Sequence, residues 1–258
     1  MALTFLSKKN SHERDKFISF KEEGHIYTIN GKSDFMSVTK WNHSHFEDFN
    51  ADKIINNMMK SKNWETSEYY GMTKQEIKNL WKKNGKEASQ AGTSMHEDIE
   101  YFYNGKPRKN DSIEYRYFMD FYKNYANLTP YRTEWMVYDE ELKFAGSIDM
   151  VFENNDNTLE LYDWKRCKSI TKVNNWNKYS KTKEIDHIPD TNFWHYSLQL
   201  NTYKRILEKN YGKKVTALYL VCLHPNNKNH TYQRIKVPDL QNEVNDLFEI
   251  RKTNLKNL

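Results

Sequence analysis

The chain has 258 residues, 37% of them hydrophobic and 15% aromatic, which is enough for one large domain, or one domain and an extension, despite a mean hydropathy of -1.00. Forty Lys and Arg against 35 Asp and Glu leave a net charge of +5, which is compatible with a polyanionic partner but does not by itself indicate one. Two cysteines are too few for a disulfide framework, a four-thiolate zinc site or an iron–sulfur cluster.

The first half of the sequence is predicted to be mainly helical. Alternation of apolar and polar residues over 17 to 29, around Glu22-Glu23-Gly24, indicates a small hairpin. Thr73 and Glu76 have the spacing of a capping box. The predicted helices run from Asp52 to about Lys62, from Thr73 to about Lys83, from about Glu87 to Tyr103, and from Ser112 to Ala126.

After Pro130 the hydrophobic pattern changes to the period of strands. Residues 133 to 138, 145 to 153 and 158 to 166 are predicted to form an antiparallel meander, with a polar turn at 154 to 157. A helix over about 194 to 209, a strand over 215 to 223, a strand over 232 to 237 and a helix from about 240 complete the chain. This order predicts an α/β sandwich, and residues 168 to 190 are the one linker candidate.

Charged residues concentrate at the ends of the predicted strands. Asp163 and Lys165 are two positions apart and leave the same face of a strand, and Asp149 stands on the neighbouring strand. Two carboxylates and an ammonium are costly to bury together unless a divalent cation with oxygen ligands compensates them. The alternative for an isolated Asp-x-Lys is a surface cross-strand ion pair.

Three further features accompany these charges. Ala145-Gly146-Ser147 places small residues before Asp149, which permits close approach of another group. Gln199 and Tyr203 are four positions apart and share a helix face, although each could be an ordinary helix residue. His96 is either a ligand or a structural histidine.

Over about residues 90 to 225 the sequence resembles the RecB-like branch of the PD-(D/E)XK nucleases. The resemblance rests on four features in this order: His96, Gly146-x-x-Asp149, Asp163-x-Lys165 and Gln199-x-x-x-Tyr203. The amino-acid sequence of residues 158 to 225 is also similar to stand-alone nuclease-like proteins of large DNA viruses. The resemblance implies a restriction-endonuclease-like α/β core, with a central mixed sheet flanked by helices. We assign this core, with a C-terminal strand and helix, to residues 86 to 258. Residues 1 to 85 match no family that we can place, and their pattern predicts a mainly helical N-terminal extension. The four-cysteine cluster that many RecB-like enzymes carry is absent from the sequence.

The resemblance also implies a role for each matched residue. Asp149 and Asp163 would hold Mg²⁺ or Mn²⁺, His96 would add a nitrogen ligand, and the carbonyl of Trp164 would add an oxygen. Lys165 would orient or deprotonate the attacking water, which makes Asp149, Asp163 and Lys165 the catalytic residues. Gln199 and Tyr203 would line the path of the nucleic acid.

Other polar residues remain open to two interpretations. Glu100 follows His96 by one helical turn and is either a further ligand or part of a solvated face, and Ser94 is a weaker candidate. Glu134 either contacts metal-bound water or pairs with a basic neighbour. The segment from Lys168 to Lys183 carries five lysines with Trp176 and Tyr179, and either clamps a single strand or is a solvated loop.

The expected function is therefore that of a metal-dependent deoxyribonuclease, an exonuclease that prefers single-stranded DNA or DNA ends and leaves a 5′-phosphate and a 3′-hydroxyl, as in DNA repair or recombination. The alternatives are a nucleic-acid-binding protein without turnover and an RNA-directed nuclease of the same fold. With no segment that resembles a signal peptide or membrane span, we expect an intracellular, soluble protein of the cytoplasm or nucleus.

Overall fold

A computed structural model describes residues 4–174 and 176–257. The helices are α1 Phe5–Lys9, α2 Val38–His43, α3 Ala51–Met59, α4 Lys74–Tyr103, α5 Ile113–Asn124, α6 Asn192–Asn210 and α7 Gln241–Lys256. The strands are β1 Ile18–Lys21, β2 Ile26–Ile29, β3 Met36–Ser37, β4 Thr129–Asp139, β5 Phe144–Glu153, β6 Leu159–Lys165, β7 Val215–Cys222 and β8 Gln233–Lys236. Within the described residues, no helix is both long and apolar enough to cross a membrane.

The central sheet is mixed, as predicted. Strands β4, β5 and β6 form the predicted antiparallel meander, β7 lies parallel to β6, and β8 lies antiparallel to β7. The connection from β6 to the parallel strand β7 runs through α6, because parallel neighbours need a crossover of this kind. The α/β fold, with a central mixed sheet flanked by helices, is thus confirmed.

One edge of β5 is shared by two partners, and this opens a fork in the sheet. Strand β3 pairs with Phe144 and Ala145, whereas β6 pairs only with the residues from Met150 to Glu153. The stretch of β5 between them, 146–149, therefore has no strand on that edge. The last three residues of β6, 163–165, pair with β7 but not with β5. The predicted site residues of both strands lie along this fork.

Two hydrophobic clusters cover the two faces of the sheet. On one face α6 and α7 pack against side chains of the meander, including the fully buried Trp135. On the other face α5 and the end of α4 pack through Phe118, Phe121 and Ile99 against Trp164 and its neighbours. Because successive residues of β6 face opposite sides, Trp164 enters the second cluster while Asp163 and Lys165 turn toward α6.

The described chain packs as two compact units. One unit comprises the described parts of residues 1–47 and 95–258, and the other comprises residues 48–94. The first contains the sheet; the second contains α3 and most of α4, with Ile55 and Ile77 as its fully buried side chains. The predicted domains, 1–85 and 86–258, remain a prediction.

Local structure differs from the prediction in two places. The helices predicted to end near Lys83 and to restart near Glu87 are one helix, α4, because Gly85 weakens a helix without breaking it. The capping contacts between Thr73 and Glu76 are present at its start. Strand β3 and helices α1 and α2 were not predicted, because elements of two to six residues carry no readable period.

A buried histidine makes stability depend on pH. His45 is 7% exposed, its Nδ1 lies 2.9 Å from the hydroxyl of Thr182, and burial lowers its pKa to about 4, helped by the charge of Lys181. In the unfolded chain the imidazole of His45 is protonated near pH 6.5, whereas in the folded chain it stays neutral down to about pH 4. The contribution of neutral His45 to stability is thus complete above about pH 6.5 and is lost as the pH falls toward 4.

We therefore expect the free energy of unfolding of the wild type, relative to His45→Gln, to decrease as the pH falls from 7 to 4. Urea titrations of both proteins at several pH values measure this difference. A difference that stays constant across this range would show that His45 does not titrate on unfolding as described.

Candidate metal centre

The two arms of the fork are joined by the backbone N–H of Trp164, and its carbonyl contacts His96. Its N–H donates a 2.9 Å hydrogen bond to Asp149 Oδ2 across the gap. Its carbonyl oxygen lies 2.9 Å from His96 Nε2, and because a carbonyl only accepts, Nε2 carries the proton in this contact. His96 and Asp149 are thus both held by the backbone of one residue of β6, although they come from a helix and from a different strand.

The other ring nitrogen of His96 faces two carboxylates. Nδ1 lies 3.6 Å from Asp149 Oδ2 and 3.7 Å from Glu134 Oε1. Burial alone would lower the pKa of His96, but the two carboxylates outweigh it and raise the pKa to about 9. Without a cation, His96 is therefore the positive charge that balances these acids. His96, Glu134 and Asp149 each offer one ligand atom, and these atoms lie within 4.8 Å of one another.

Glu134 occupies its position at a conformational cost. Its φ is +43°, a left-handed value that costs a residue with a side chain about 1–3 kcal/mol. The register of β4 and β5, in which Thr133 pairs with Met150 and Trp135 with Ile148, places Glu134 opposite Asp149. Ser147 donates a 2.8 Å hydrogen bond to Glu134 Oε2, which orients the carboxylate.

Asp163, which is buried, and Lys165, which is half-buried, form an ion pair on the second arm. Lys165 Nζ lies 2.7 Å from Asp163 Oδ2 and 4.5 Å from the ring centre of Tyr196 on α6. Burial raises the pKa of Asp163, and Lys165 offsets only part of that shift. Burial would lower the pKa of Lys165, but Asp163 and Asp149 reverse this and raise it. Lys165 is therefore an ammonium in this arrangement.

Tyr203 fills the space beside the small residues of β5. A Cβ placed on Gly146 would lie 2.5 Å from the Tyr203 hydroxyl and 2.8 Å from its Cε1, so glycine is required for the packing. The side chain is 3% exposed, and its pKa is raised by burial and by neighbouring groups that include Asp149 and Asp163. Gln199, one turn earlier, is half-buried. A role for both in lining a nucleic-acid path remains a prediction.

Glu100 and Tyr27 belong to the same compact unit as this centre, whereas Ser94 belongs to the other unit. Glu100 is half-buried, and its pKa is raised to about 7, first by burial and then by Glu134 and Glu97. Glu100 and Glu134 line a small cavity of about 190 Å³. Ser94 is exposed at the end of the second compact unit. Tyr27 was not singled out from the sequence; it is buried on β2, where burial, Glu134 and Asp149 raise its pKa.

The donor set fits a divalent cation. His96, Glu134 and Asp149 offer an imidazole and two carboxylates within 4.8 Å of one another, a combination that suits Mn²⁺ and also Mg²⁺. Asp163 is not in this group, and its Oδ2 is paired with Lys165. Within the described residues, Asp163 Oδ2 is buried and lacks an aligned hydrogen bond despite its contact with Lys165. In the absence of a metal, the ammonium of Lys165 is the charge that compensates this oxygen.

We expect Mn²⁺ to raise the free energy of unfolding, by about 2.7 kcal/mol at a concentration 100 times its dissociation constant. Because an imidazole favours Mn²⁺ over Mg²⁺, the stabilisation by Mn²⁺ should exceed that by Mg²⁺ at equal low concentration. Urea denaturation with each metal measures both effects. His96→Gln should reduce the difference between the stabilisation by Mn²⁺ and the stabilisation by Mg²⁺. Glu65→Gln, at an exposed position, should leave this difference unchanged. An unchanged difference in His96→Gln would show that His96 does not bind the metal.

No family model and no curated protein matches this sequence. Solved structures match its fold at low sequence identity. The protein SSO0001 matches at 12% identity and a TM-score of 0.38, over 97% of this chain and 84% of its own. A protein of Eubacterium rectale described as a putative exonuclease matches at 14% identity and a TM-score of 0.40, over 87% of this chain and 79% of its own. An alkaline exonuclease of Laribacter hongkongensis matches at 14% identity and a TM-score of 0.29, over 84% of this chain and 95% of its own. These likenesses are distant, so a function has to be inferred from the residues of the site.

Proposed function

We propose that the chain is a metal-dependent nuclease that hydrolyses phosphodiester bonds in DNA. The observation that supports this most strongly is the convergence of Asp149, Asp163, Lys165, His96 and Glu134 on one fork of the sheet. Four of these residues are those through which the sequence resembles the RecB-like PD-(D/E)XK nucleases. An ordinary surface ion pair does not explain why Asp163 is buried, with Lys165 half-buried, beside two further carboxylates.

The residues divide into those that hold the cation and one that acts on the phosphate. Asp149, Asp163, Glu134 and His96 would hold Mg²⁺ or Mn²⁺, and the Trp164 carbonyl has a second lone pair available after its contact with His96. The bound cation would lower the pKa of a water ligand and stabilise charge that develops on the phosphate.

Lys165 is placed to donate hydrogen bonds to the attacking water and to the phosphate oxygens. In the metal-free protein its ammonium is paired with Asp163, and Asp163 and Asp149 raise its pKa. Of the two roles that the resemblance allows, its charge favours orienting the water and stabilising the phosphate oxygens. Tyr196 and Asp163 hold the ammonium in place from two sides.

Single-stranded DNA or DNA with free ends is the substrate that we propose, with products that carry a 5′-phosphate and a 3′-hydroxyl. The resemblance supports an exonuclease, and the net charge of +5 suits a polyanion. The segment after β6 also displays Trp176, which is 82% exposed, and Tyr179, which is 48% exposed. Exposed aromatic rings among lysines are suited to stacking on unpaired bases.

A panel of labelled substrates tests the proposal. Single- and double-stranded DNA and RNA, each linear or circular, are incubated with Mn²⁺, with Mg²⁺ or with EDTA. We expect metal-dependent cleavage of linear single-stranded DNA to be fastest, with closed circular duplex resistant. Faster cleavage of RNA would assign an RNA-directed nuclease. Tight binding to DNA without cleavage under any metal would assign a binding protein.

A further inference from the structure

A groove on the flank of α6, separate from the metal centre, carries lysines around an apolar floor. The groove has a volume of about 620 Å³. Residues 215–218 of β7, together with Val237 and Pro238 after β8, line its floor. Phe193 and Trp194 lie at one end, and Lys172, Lys204 and Lys236 stand around it. We call it the basic groove.

The charge of the basic groove is unbalanced toward positive. Lys204 is paired with Glu208 at 2.7 Å, and Asp239 is the one acid among the lining residues. Lys172 and Lys236 are exposed, and within the described part of the chain neither has a carboxylate within ion-pair distance. Two ammonium groups without a carboxylate partner among the described residues, Lys172 and Lys236, stand beside an apolar floor and complement a ligand that carries both phosphates and flat, apolar bases.

The aromatic end of the basic groove is built in a fixed geometry. The indole N–H of Trp194 donates a 2.9 Å hydrogen bond to the carbonyl of Lys172. The ammonium of Lys172 lies 4.6 Å from the ring centre of Phe193. A lysine and two aromatic rings are therefore held together, which reduces the entropy lost when a strand binds.

One end of the basic groove is at Trp194, two positions before Tyr196, the residue against which Lys165 packs. Residues two positions apart leave different sides of a helix, so the groove and Lys165 lie on different sides of α6. From Trp194 to Lys204 the helix rises by about 15 Å, ten residues at about 1.5 Å each. A groove of this length suits several nucleotides of a strand better than a single nucleotide.

We propose that the basic groove binds a single-stranded segment of nucleic acid, with Lys172 and Lys236 on its phosphates and Trp194 against a base. The proposal rests on the proposed function, because it assigns a second contact to the same substrate. The strand would extend from the metal centre along α6, and the groove would add affinity for long substrates without touching the reacting bond.

The test compares two double variants with the same loss of charge. Lys172→Ala/Lys236→Ala removes the two exposed lysines of the groove, and Lys123→Ala/Lys256→Ala removes two exposed lysines of α5 and α7. Affinity for a fluorescent oligothymidylate is measured in EDTA, where no cleavage occurs, over a range of salt. We expect the groove variant to bind severalfold more weakly, with a salt slope smaller by roughly 1.4, as for two lost contacts to a single strand. The control variant should keep the wild-type slope.

Two further readouts separate this proposal from the proposed function. If the chain is a nuclease, the groove variant should cut a dinucleotide as fast as the wild type and a long strand with a higher KM. If the chain does not cleave DNA, the difference in affinity between the two variants in EDTA still tests the groove, because that measurement needs no cleavage. Equal losses in both variants, or no loss in the groove variant, would overturn the proposal. Displacement of the oligonucleotide by thymidine monophosphate at comparable concentration would assign a mononucleotide site instead and would also overturn it.

Discussion

Lys165→Met is expected to reduce cleavage of single-stranded DNA by about 10²–10⁴-fold while leaving most of the affinity for DNA intact. The ammonium of Lys165 contacts Asp163 and the ring of Tyr196, and methionine replaces the stem of the side chain but not its charge. Binding depends on phosphate contacts spread over many cationic groups and should survive the loss of one. Single-turnover rates and binding in EDTA measure the two effects separately.

A matched control is available at Lys256, far from Lys165 in the sequence. Lys256→Met removes one exposed ammonium near the end of α7 and should change neither rate nor affinity. Thermal melts show whether each variant is folded. A folded Lys165→Met variant that cuts at nearly the wild-type rate would remove Lys165 from the reaction.

Gly146→Ala is expected to destabilise the fold by about 1–3 kcal/mol, because the added Cβ overlaps the ring and hydroxyl of Tyr203 in a packed core. Tyr203 is 3% exposed and has little freedom to move. In a Tyr203→Leu background the same alanine should cost much less, because the overlapping ring atoms are gone. Urea denaturation of the four proteins in this cycle measures the coupling.

Gly85→Ala serves as the comparison for this substitution. Gly85 lies in α4 with nothing within 4 Å of an added Cβ, so alanine should stabilise the helix by about 0.5–1 kcal/mol. If Gly146→Ala cost the same with and without Tyr203, the contact between these two residues would not be the reason for the glycine.

The sequence predicts well those parts of the fold in which a hydrophobic pattern extends over many residues. The meander and α6 have side chains that alternate or recur over seven residues or more, so burial on a defined face leaves a clear pattern. Strand β3 has two residues and leaves none. The fork depends on β3, since this strand takes the edge of β5 that β6 leaves, so the opening of the site could not be read from the sequence.

The candidate site shows the same division. The shared face of Asp163 and Lys165 follows from their spacing, and the structure confirms that their side chains meet. The left-handed backbone of Glu134 has no signal in the sequence, because glutamate does not favour that conformation. Tyr27 reaches the carboxylates from a hairpin far away in sequence, and only tertiary packing reveals it. The contact between His96 Nε2 and the Trp164 carbonyl is equally a product of packing.

The most direct test of the metal centre is the rate at which metal-free protein, prepared with EDTA, cuts labelled single-stranded DNA as Mn²⁺ or Mg²⁺ is added. We expect no cleavage without metal, saturable cleavage with either metal, and saturation at lower concentration with Mn²⁺. Asp149→Asn, which removes one charge from the carboxylate that contacts both His96 and the Trp164 N–H, should require far more metal or show no cleavage. Cleavage that persists in EDTA, or an Asp149→Asn variant with the metal dependence of the wild type, would contradict a catalytic metal at this fork.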